Sequence, residues 1–359
     1  MISVDKQKAG SIKGHVYQSG TFVTVGLEWR DGLISDISPC AEVAGLPLIV
    51  PRFIDLHCHG GGGADFMAGG DAAHVIAQTH AKHGTKMLLA TTMTAPVEDI
   101  EKALRDIAYA MNNQATDEAH IHGVHLEGPF ISRDQLGAQP DFVQPATIKL
   151  AKYFCELAPL KVVTMAPEAD PDRVVSDWFR HTGIRVQIGH TACNYETARN
   201  FLEFHSDGAT HLFNAMSSFH HRQPGCVGAC LGHAKSAELI SDLLHIHEGA
   251  IHAACRAIPT CYAVTDATAA AGMPDGEYQL GRQTVTRRGN AVRLESGALA
   301  GSCLTMDEAF KNLLACGFSP EETVLRTSTY AAQFISYPEK PLLAVGGAVE
   351  FAVLESEAY

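Results

Sequence analysis

The sequence predicts an α/β fold, a (β/α)8 TIM-like barrel, with a small β-sandwich domain built from both chain ends. Three observations carry this expectation. Eight short apolar runs between residues 48 and 268 alternate with stretches of helical periodicity, as repeated βα units do. Five of those runs close on histidine or a carboxylate, and the carboxyl ends of barrel strands are where such folds keep their active sites. The two termini read as short alternating strands, and neither is long enough to build a core alone.

Residues 1–50 hold His15-Val16-Tyr17, Phe22 to Val25 and Leu33 to Ile37, punctuated by Gly and Asp, as in an antiparallel sheet. The apolar run Leu48-Ile49-Val50, Pro51 and Phe53 to Leu56 then reads as one buried strand. His57 and His59, at i and i+2 of that strand, share a face, and Gly60 to Gly63 let the chain turn away. Asp71 is placed to cap a helix running to His83, with Gly84 as its stop. His74, His80 and His83 fall on that helix and receive no role. Lys86 to Thr92 is the next strand, and Val97 to Met111 carries apolar residues at helical spacing. Six more strands end in HLEGPF (125–130), VVTMAPE (162–168), VQIGHT (186–191), ATHLFNAM (209–216), LISDLLH (239–245) and YAVTDAT (262–268). Leu342 to Gly347 and Val349 to Leu354 again read as strands. The expected division is 1–50 plus 339–359 for the small domain and 51–338 for the barrel.

At 359 residues and 46% hydrophobic content, the chain can bury a large core. A formal charge of −13 argues against nucleic acid as a partner. No apolar run approaches the roughly 20 residues of a membrane span. The opening MISVDKQKAG lacks the apolar core of a signal peptide. Ten cysteines without a CxxC pair read as reduced, buried thiols, so the expected compartment is the cytoplasm.

Chemistry gathers at the strand ends. Among 19 histidines some HxH pairs arise by chance, and a lone buried histidine is more often a hydrogen-bonded core residue. Here His57, His59, Glu127, His190, His211 and Asp266 occupy matching positions at the ends of five strands. Charged or imidazole groups in a barrel mouth are costly unless paired or metal-bound. Imidazole nitrogen with carboxylate oxygen suits a first-row divalent metal, zinc first, with Fe, Co or Mn able to take the same donors.

The order HxH, HLEGPF, GHT, THLFNAM, HHRQPG and VTDAT resembles the amidohydrolase superfamily, and within it the N-acetylglucosamine-6-phosphate deacetylases, over residues 48–310. The resemblance implies that Glu127, His190 and His211 hold the principal ion and that His57 and His59 hold a second where one binds. It makes Asp266 the acid/base, beside a water whose pKa the metal lowers. It places the sugar phosphate at Asn214 and the Ala215 backbone, with Arg222 as phosphate partner, His221 beside it, His245 touching substrate, and Gly301 with Ser302 closing over the sugar. A small-molecule phosphosugar substrate and a homodimer follow from the same resemblance.

Two departures stand out. Many family members carry a histidine twelve residues after the EGPF glutamate, where this chain has Gln139, next to Ala138. An amide there can donate a hydrogen bond but cannot supply a proton. Near the C-terminus, GGAVEFAVLE stands where relatives carry an Ala-Asp pair, and Glu350 reads as a surface change. The implied reaction is removal of acetate from N-acetylglucosamine 6-phosphate, with the 4-epimer, N-acetylgalactosamine 6-phosphate, as the alternative. A cyclic amidase and a non-catalytic phosphosugar sensor on the same fold rank lower.

Overall fold

The apolar run at Leu48 serves two sheets in the structure, a computed structural model that describes residues 9–338 and 344–355. Leu48–Pro51 is a strand of the small domain and Phe53–Cys58 is the first barrel strand, so the single expected strand is two. Pro51 has no N–H with which to extend the ladder. Arg52, at the break, donates to Ala81 O at 3.2 Å and Thr85 O at 2.8 Å, which pins the crossover to the barrel.

Eight parallel strands follow one another in chain order: Phe53–Cys58, Thr85–Thr92, His120–Glu127, Leu160–Met165, Arg185–Ile188, Gly208–Ala209, Ser236–Ile240 and Thr260–Val264. The ring closes where Cys58 bridges Ala267 in parallel. Buried Asp55 reinforces that seam, accepting from the Thr265 hydroxyl at 2.6 Å and the Thr265 N–H at 3.1 Å. Burial pushes the Asp55 carboxyl up to about 6, against the hydrogen bonds that favour its charge.

Each strand is followed by a helix. Val97–Met111 forms where expected, because Ile100, Ala103, Leu104, Ile107 and Ala110 make one buried stripe. Glu98 and Asp99 sit in its first turn, where the helix dipole favours negative charge. Burying each large aliphatic side chain of that stripe contributes roughly 2 kcal/mol. Ala72–Lys82 begins after Asp71, whose side chain makes no capping bond, and Gly84 reverses the chain at φ +82°. Thr147 and Asn194 cap Ile148–Leu157 and Tyr195–Phe204 by accepting the Leu150 and Thr197 N–H groups at 3.2 and 2.9 Å. Between the eighth strand and the helix Met306–Ala315 lies an unforeseen three-stranded antiparallel sheet: Gly276–Leu280, Gln283–Arg288 and Ala291–Arg293.

The terminal segments form one five-stranded sheet in the order Phe351–Leu354, Leu48–Pro51, Gly10–Gln18, Thr21–Arg30, Leu33–Pro39. It curls until its edges meet, with Ile34 N–H on Gly347 O at 2.8 Å and Val349 N–H on Gly32 O at 2.9 Å. The curl encloses a core that includes Val16, Leu27, Trp29, Ile49 and Phe351. Of the expected strand Leu342 to Gly347, residues Leu342 and Leu343 lie outside the described residues, and the remainder is a turn with Gly346 at φ +84°. Glu350 does more than decorate a surface. Its Oε2 lies 2.6 Å from Lys86 Nζ on the second barrel strand, tying the small domain to the barrel. Among the described residues, no helix is long and apolar enough to cross a membrane.

Candidate metal centre and active-site mouth

The strand ends carry their side chains inward through unusual backbone angles. His190, His211 and Asp266 have φ of +47°, +25° and +48°, and Phe213 and Ala215 follow at +84° and +50°. Non-glycine residues rarely adopt this region, at a cost of about 1–3 kcal/mol each, so the surrounding structure holds them there. The sixth strand is only Gly208–Ala209 because the chain leaves the ladder at once to aim His211 into the mouth.

Two donor clusters meet across Glu127. Its Oε1 lies 3.1 Å from His190 Nε2 and 2.9 Å from His211 Nε2. Its Oε2 lies 3.1 Å from His59 Nε2 and 3.5 Å from His57 Nε2. Asp266 Oδ1 completes the second cluster, 3.2 Å from His59 Nε2 and 3.5 Å from His57 Nε2. In each of the groups Glu127–His190–His211 and His57–His59–Asp266, the candidate ligand atoms lie within 4.8 Å of one another, and all six residues are buried.

The outer ring nitrogens show what those inner atoms are. His57 Nδ1–H donates to Glu238 Oε2 at 2.9 Å, His59 Nδ1–H to Thr91 O at 3.2 Å, and His190 Nδ1–H to Gln135 O at 2.9 Å. Each acceptor is a carboxylate or carbonyl, so the neutral ring keeps its lone pair on Nε2, the usual outer bracing of metal-ligating histidine. Nε2 lone pairs therefore face carboxylates and one another, acceptor against acceptor. Positive charge between them resolves that arrangement, as protons on the rings or as a metal ion, and the donor set fits a divalent metal ion. Without one, protons fill the role. Burial alone would lower the His59 pKa, but its hydrogen bonds to Asp266 and Glu127 prevail and raise it to about 9. Burial would likewise raise Asp266, yet the charge of His57 and the hydrogen bond to His59 pull it down to about 2, so Asp266 is ionised at neutral pH.

The mouth opens into a cavity of about 160 Å³, to which Gln139, Ala138, Asn214, Ala215 and His245 contribute walls alongside the cluster. Gln139 is held at both ends of its amide: Oε1 accepts the Thr94 N–H at 2.7 Å and Nε2 donates to Glu127 Oε2 at 2.6 Å. His245 Nδ1 lies 2.7 Å from Asp242 Oδ2; burial opposes its charge, but Asp242 outweighs it and raises the pKa. Three expected residues stand elsewhere. Arg222 and His221 are exposed and paired with each other, Nη1 to Nε2 at 2.9 Å, outside the cavity lining. Ser302 is buried and its hydroxyl donates to Thr265 O at 2.6 Å, so Gly301 presents itself to the cavity instead. A Cβ on Gly301 would meet Asp266 O at 2.9 Å, which explains the glycine beside that strand end.

No protein-family model matches the chain. An N-acetylglucosamine-6-phosphate deacetylase of Lysinibacillus sphaericus is 35% identical over 346 residues, spanning 92% of this chain and 89% of that protein. The chain belongs to the N-acetylglucosamine-6-phosphate deacetylase family. A further relative, the N-acetylgalactosamine-6-phosphate deacetylase of Escherichia coli O157:H7, is 34% identical over 86% of this chain and 84% of that one. Among solved structures of this family, a mutant of the Mycobacterium smegmatis N-acetyl-D-glucosamine-6-phosphate deacetylase in complex with N-acetyl-D-glucosamine 6-phosphate superposes with a TM-score of 0.87 at 26% identity. The superposition covers 98% of this chain and 96% of that one. The fold is shared more distantly with an enamidase of the amidohydrolase superfamily, TM-score 0.51 at 12% identity.

Several residues of the site were not anticipated from the sequence. Glu238, on the seventh strand, braces His57 and also accepts the His211 N–H at 3.1 Å. His125, beneath the cluster, donates from Nδ1 to Leu56 O at 3.1 Å and accepts the Thr164 hydroxyl at 2.8 Å; burial drives its pKa to about 3. Met93, Leu280 and Leu299 supply an apolar side to the mouth. The available signal was an acid, Glu238, inside the apolar run AELI, where a barrel strand has no solvent face.

Proposed function

We propose that the chain is a divalent-metal-dependent deacetylase that hydrolyses the acetamide of N-acetylglucosamine 6-phosphate to glucosamine 6-phosphate and acetate. The observation that carries it is the convergence of inward Nε2 lone pairs on Glu127 and Asp266 at the barrel mouth. Glu127, His190 and His211 would hold the principal ion, and His57 and His59, on the other side of Glu127, a second. Zinc is the ion proposed, because nitrogen and carboxylate ligands are ordinary for it. Bound there, it supplies Lewis-acid polarisation of the acetamide carbonyl and lowers the pKa of water.

The chain's own residues supply the rest. Asp266, whose Oδ1 lies 3.2 Å from His59 Nε2 at the rim of the cluster, accepts the proton of the attacking water and delivers it to the departing amine. Gln139 has one amide hydrogen committed to Glu127 and turns the other toward the acetamide oxygen. His245, its positive charge favoured by Asp242, takes a phosphate oxygen together with Asn214 and the Ala215 backbone. Arg222 and His221 lie outside the lining in this geometry and serve as outer contacts to the phosphate. A homodimer, expected from the resemblance, and a cytoplasmic location, expected from the reduced cysteines, belong to the same proposal; the mass in solution tests the first.

The galacto epimer is the second reading, favoured by the 34% identity to a deacetylase of that phosphosugar. Comparing kcat/KM for the two phosphosugars decides between them, and a clear preference for the galacto epimer overturns the first choice. Asp266→Asn tests the mechanism. It should lower kcat by about 10²–10⁴-fold, the span of general acid–base catalysis, while metal content stays near that of the parent. Retained turnover removes Asp266 from the mechanism.

A further inference from the structure

A second cavity, of about 170 Å³, shares a wall residue with the catalytic one, and adjoining residues of the chain form the partition between them. Three segments build it, each facing both ways. Ala138 and Gln139 line the catalytic cavity while Pro140 and Phe142 line the second. On the strand Gly276–Leu280, Leu280 faces the catalytic side and Gln279 the other, as alternate strand residues must, and Gly281 in the loop that follows also lines the second cavity. Met93 alone lines both, and Thr94 and Ala95 beyond it line the second. Met93 is 2% exposed and packs with Leu280, Val285 and Ala300.

We propose that Met93 sets the acyl-chain length the enzyme accepts, by sealing the catalytic cavity against the second one. The inference rests on the deacetylase reading. In that reading the phosphosugar lies toward Asn214, Ala215 and His245, and the acyl oxygen meets the Gln139 amide. That amide is anchored to the Thr94 N–H, the next residue after Met93, and Met93 lines the same cavity as Gln139, so in this reading the acyl group lies beside the Met93 side chain. An acetyl methyl stops against the thioether. A propionyl or butyryl chain needs the space behind it, and a cavity of roughly 150 Å³ accepts a benzene-sized group. Much of the second cavity's wall is apolar, with Met67, Ala68, Ala95, Pro140 and Phe142. The charged residues of that wall are already engaged: Asp65 accepts the Met67 and Gly281 N–H groups at 2.7 and 2.6 Å, and Asp99 accepts Arg282 Nε at 2.6 Å. Methionine is unbranched and has three rotatable bonds, so the seal is the most adaptable part of the partition.

The test measures kcat/KM for the N-acetyl, N-propionyl and N-butyryl forms of glucosamine 6-phosphate, by amine release. The parent should favour acetyl. One methylene in an apolar pocket changes selectivity by about 10–200-fold, so Met93→Ala should raise the butyryl-to-acetyl ratio at least tenfold. Met93→Val, which removes less volume, should shift the ratio in the same direction. Ala95→Leu added to Met93→Ala refills the second cavity and should bring the ratio back, which a general loosening of the fold would not do. A parent that releases acetate normally, with ratios unmoved in both Met93 variants, refutes the seal alone. A parent inactive on every N-acyl phosphosugar overturns the deacetylase reading and the seal with it.

Discussion

Glu238 offers the sharpest test of how the metal cluster is built. Its Oε2 serves two buried donors, His57 Nδ1–H at 2.9 Å and His211 N–H at 3.1 Å, and no solvent reaches the residue. Burial alone would raise its pKa, yet the neighbouring His57 charge prevails and lowers it, so the bond is charge-assisted. Glu238→Ala strands both donors at about 1–3 kcal/mol each, for a loss of roughly 2–6 kcal/mol in unfolding free energy. Glu238→Gln keeps an acceptor but not the charge, and the gap between charged and neutral hydrogen bonds sets its cost at about 2 kcal/mol. Glu238→Ala also frees the His57 ring to turn its other nitrogen inward, and loss of such an outer brace weakens metal affinity by about 10–100-fold. Urea unfolding of the chelator-treated protein reads the first effect. Elemental analysis after dialysis against graded zinc reads the second. If both variants match the parent in stability and in metal retention, Glu238 does not fix the His57 tautomer and the argument for inward lone pairs fails.

The remaining predictions concern the scaffold. His80 is fully buried, donating to Gly60 O at 2.9 Å, and burial lowers its pKa to about 4. The unfolded chain therefore binds this proton more readily below about pH 6.5, so stability falls as pH drops from there through 4, by up to about 3 kcal/mol. His80→Gln should flatten that slope in melting temperature against pH, and an unchanged difference between pH 7 and 4 removes His80 as its source. Leu104→Ala empties a fully buried site under the helix Val97–Met111 and should cost about 2–5 kcal/mol in urea, while specific activity per folded molecule holds. Lys86→Ala breaks the half-exposed pair with Glu350 and should cost less than about 1 kcal/mol, shrinking further in salt.

Much of the barrel is legible because its strands are buried on both faces and its helices are not. The runs ending in HLEGPF, VQIGHT and YAVTDAT announce themselves by apolar continuity, and the stripe of Ile100, Leu104 and Ile107 by helical period. The split at Arg52 is hidden because apolar residues on either side of Pro51 suit two different sheets equally well. The inserted sheet left a readable trace in its two-residue loops, Gly281-Arg282 and Gly289-Asn290, whose glycines sit at φ +57° and +58°. Its arginine-rich strands mask the alternation. Within the site, ligands at strand ends follow from position, whereas Glu238 and Met93 depend on which side chains converge from distant strands. Arg222 sits on a loop whose course no local motif dictates, and its guanidinium ends beside His221 rather than in the cavity.

The central claim is that the inward histidines and carboxylates hold a divalent ion that the deacetylation requires. Acetate release from N-acetylglucosamine 6-phosphate, measured with and without chelator beside a metal count per chain, tests it most directly. The account predicts turnover that chelator abolishes and zinc restores, with one ion when only Glu127, His190 and His211 are filled and two when His57 and His59 join them. Full turnover by chain stripped of metal would contradict it.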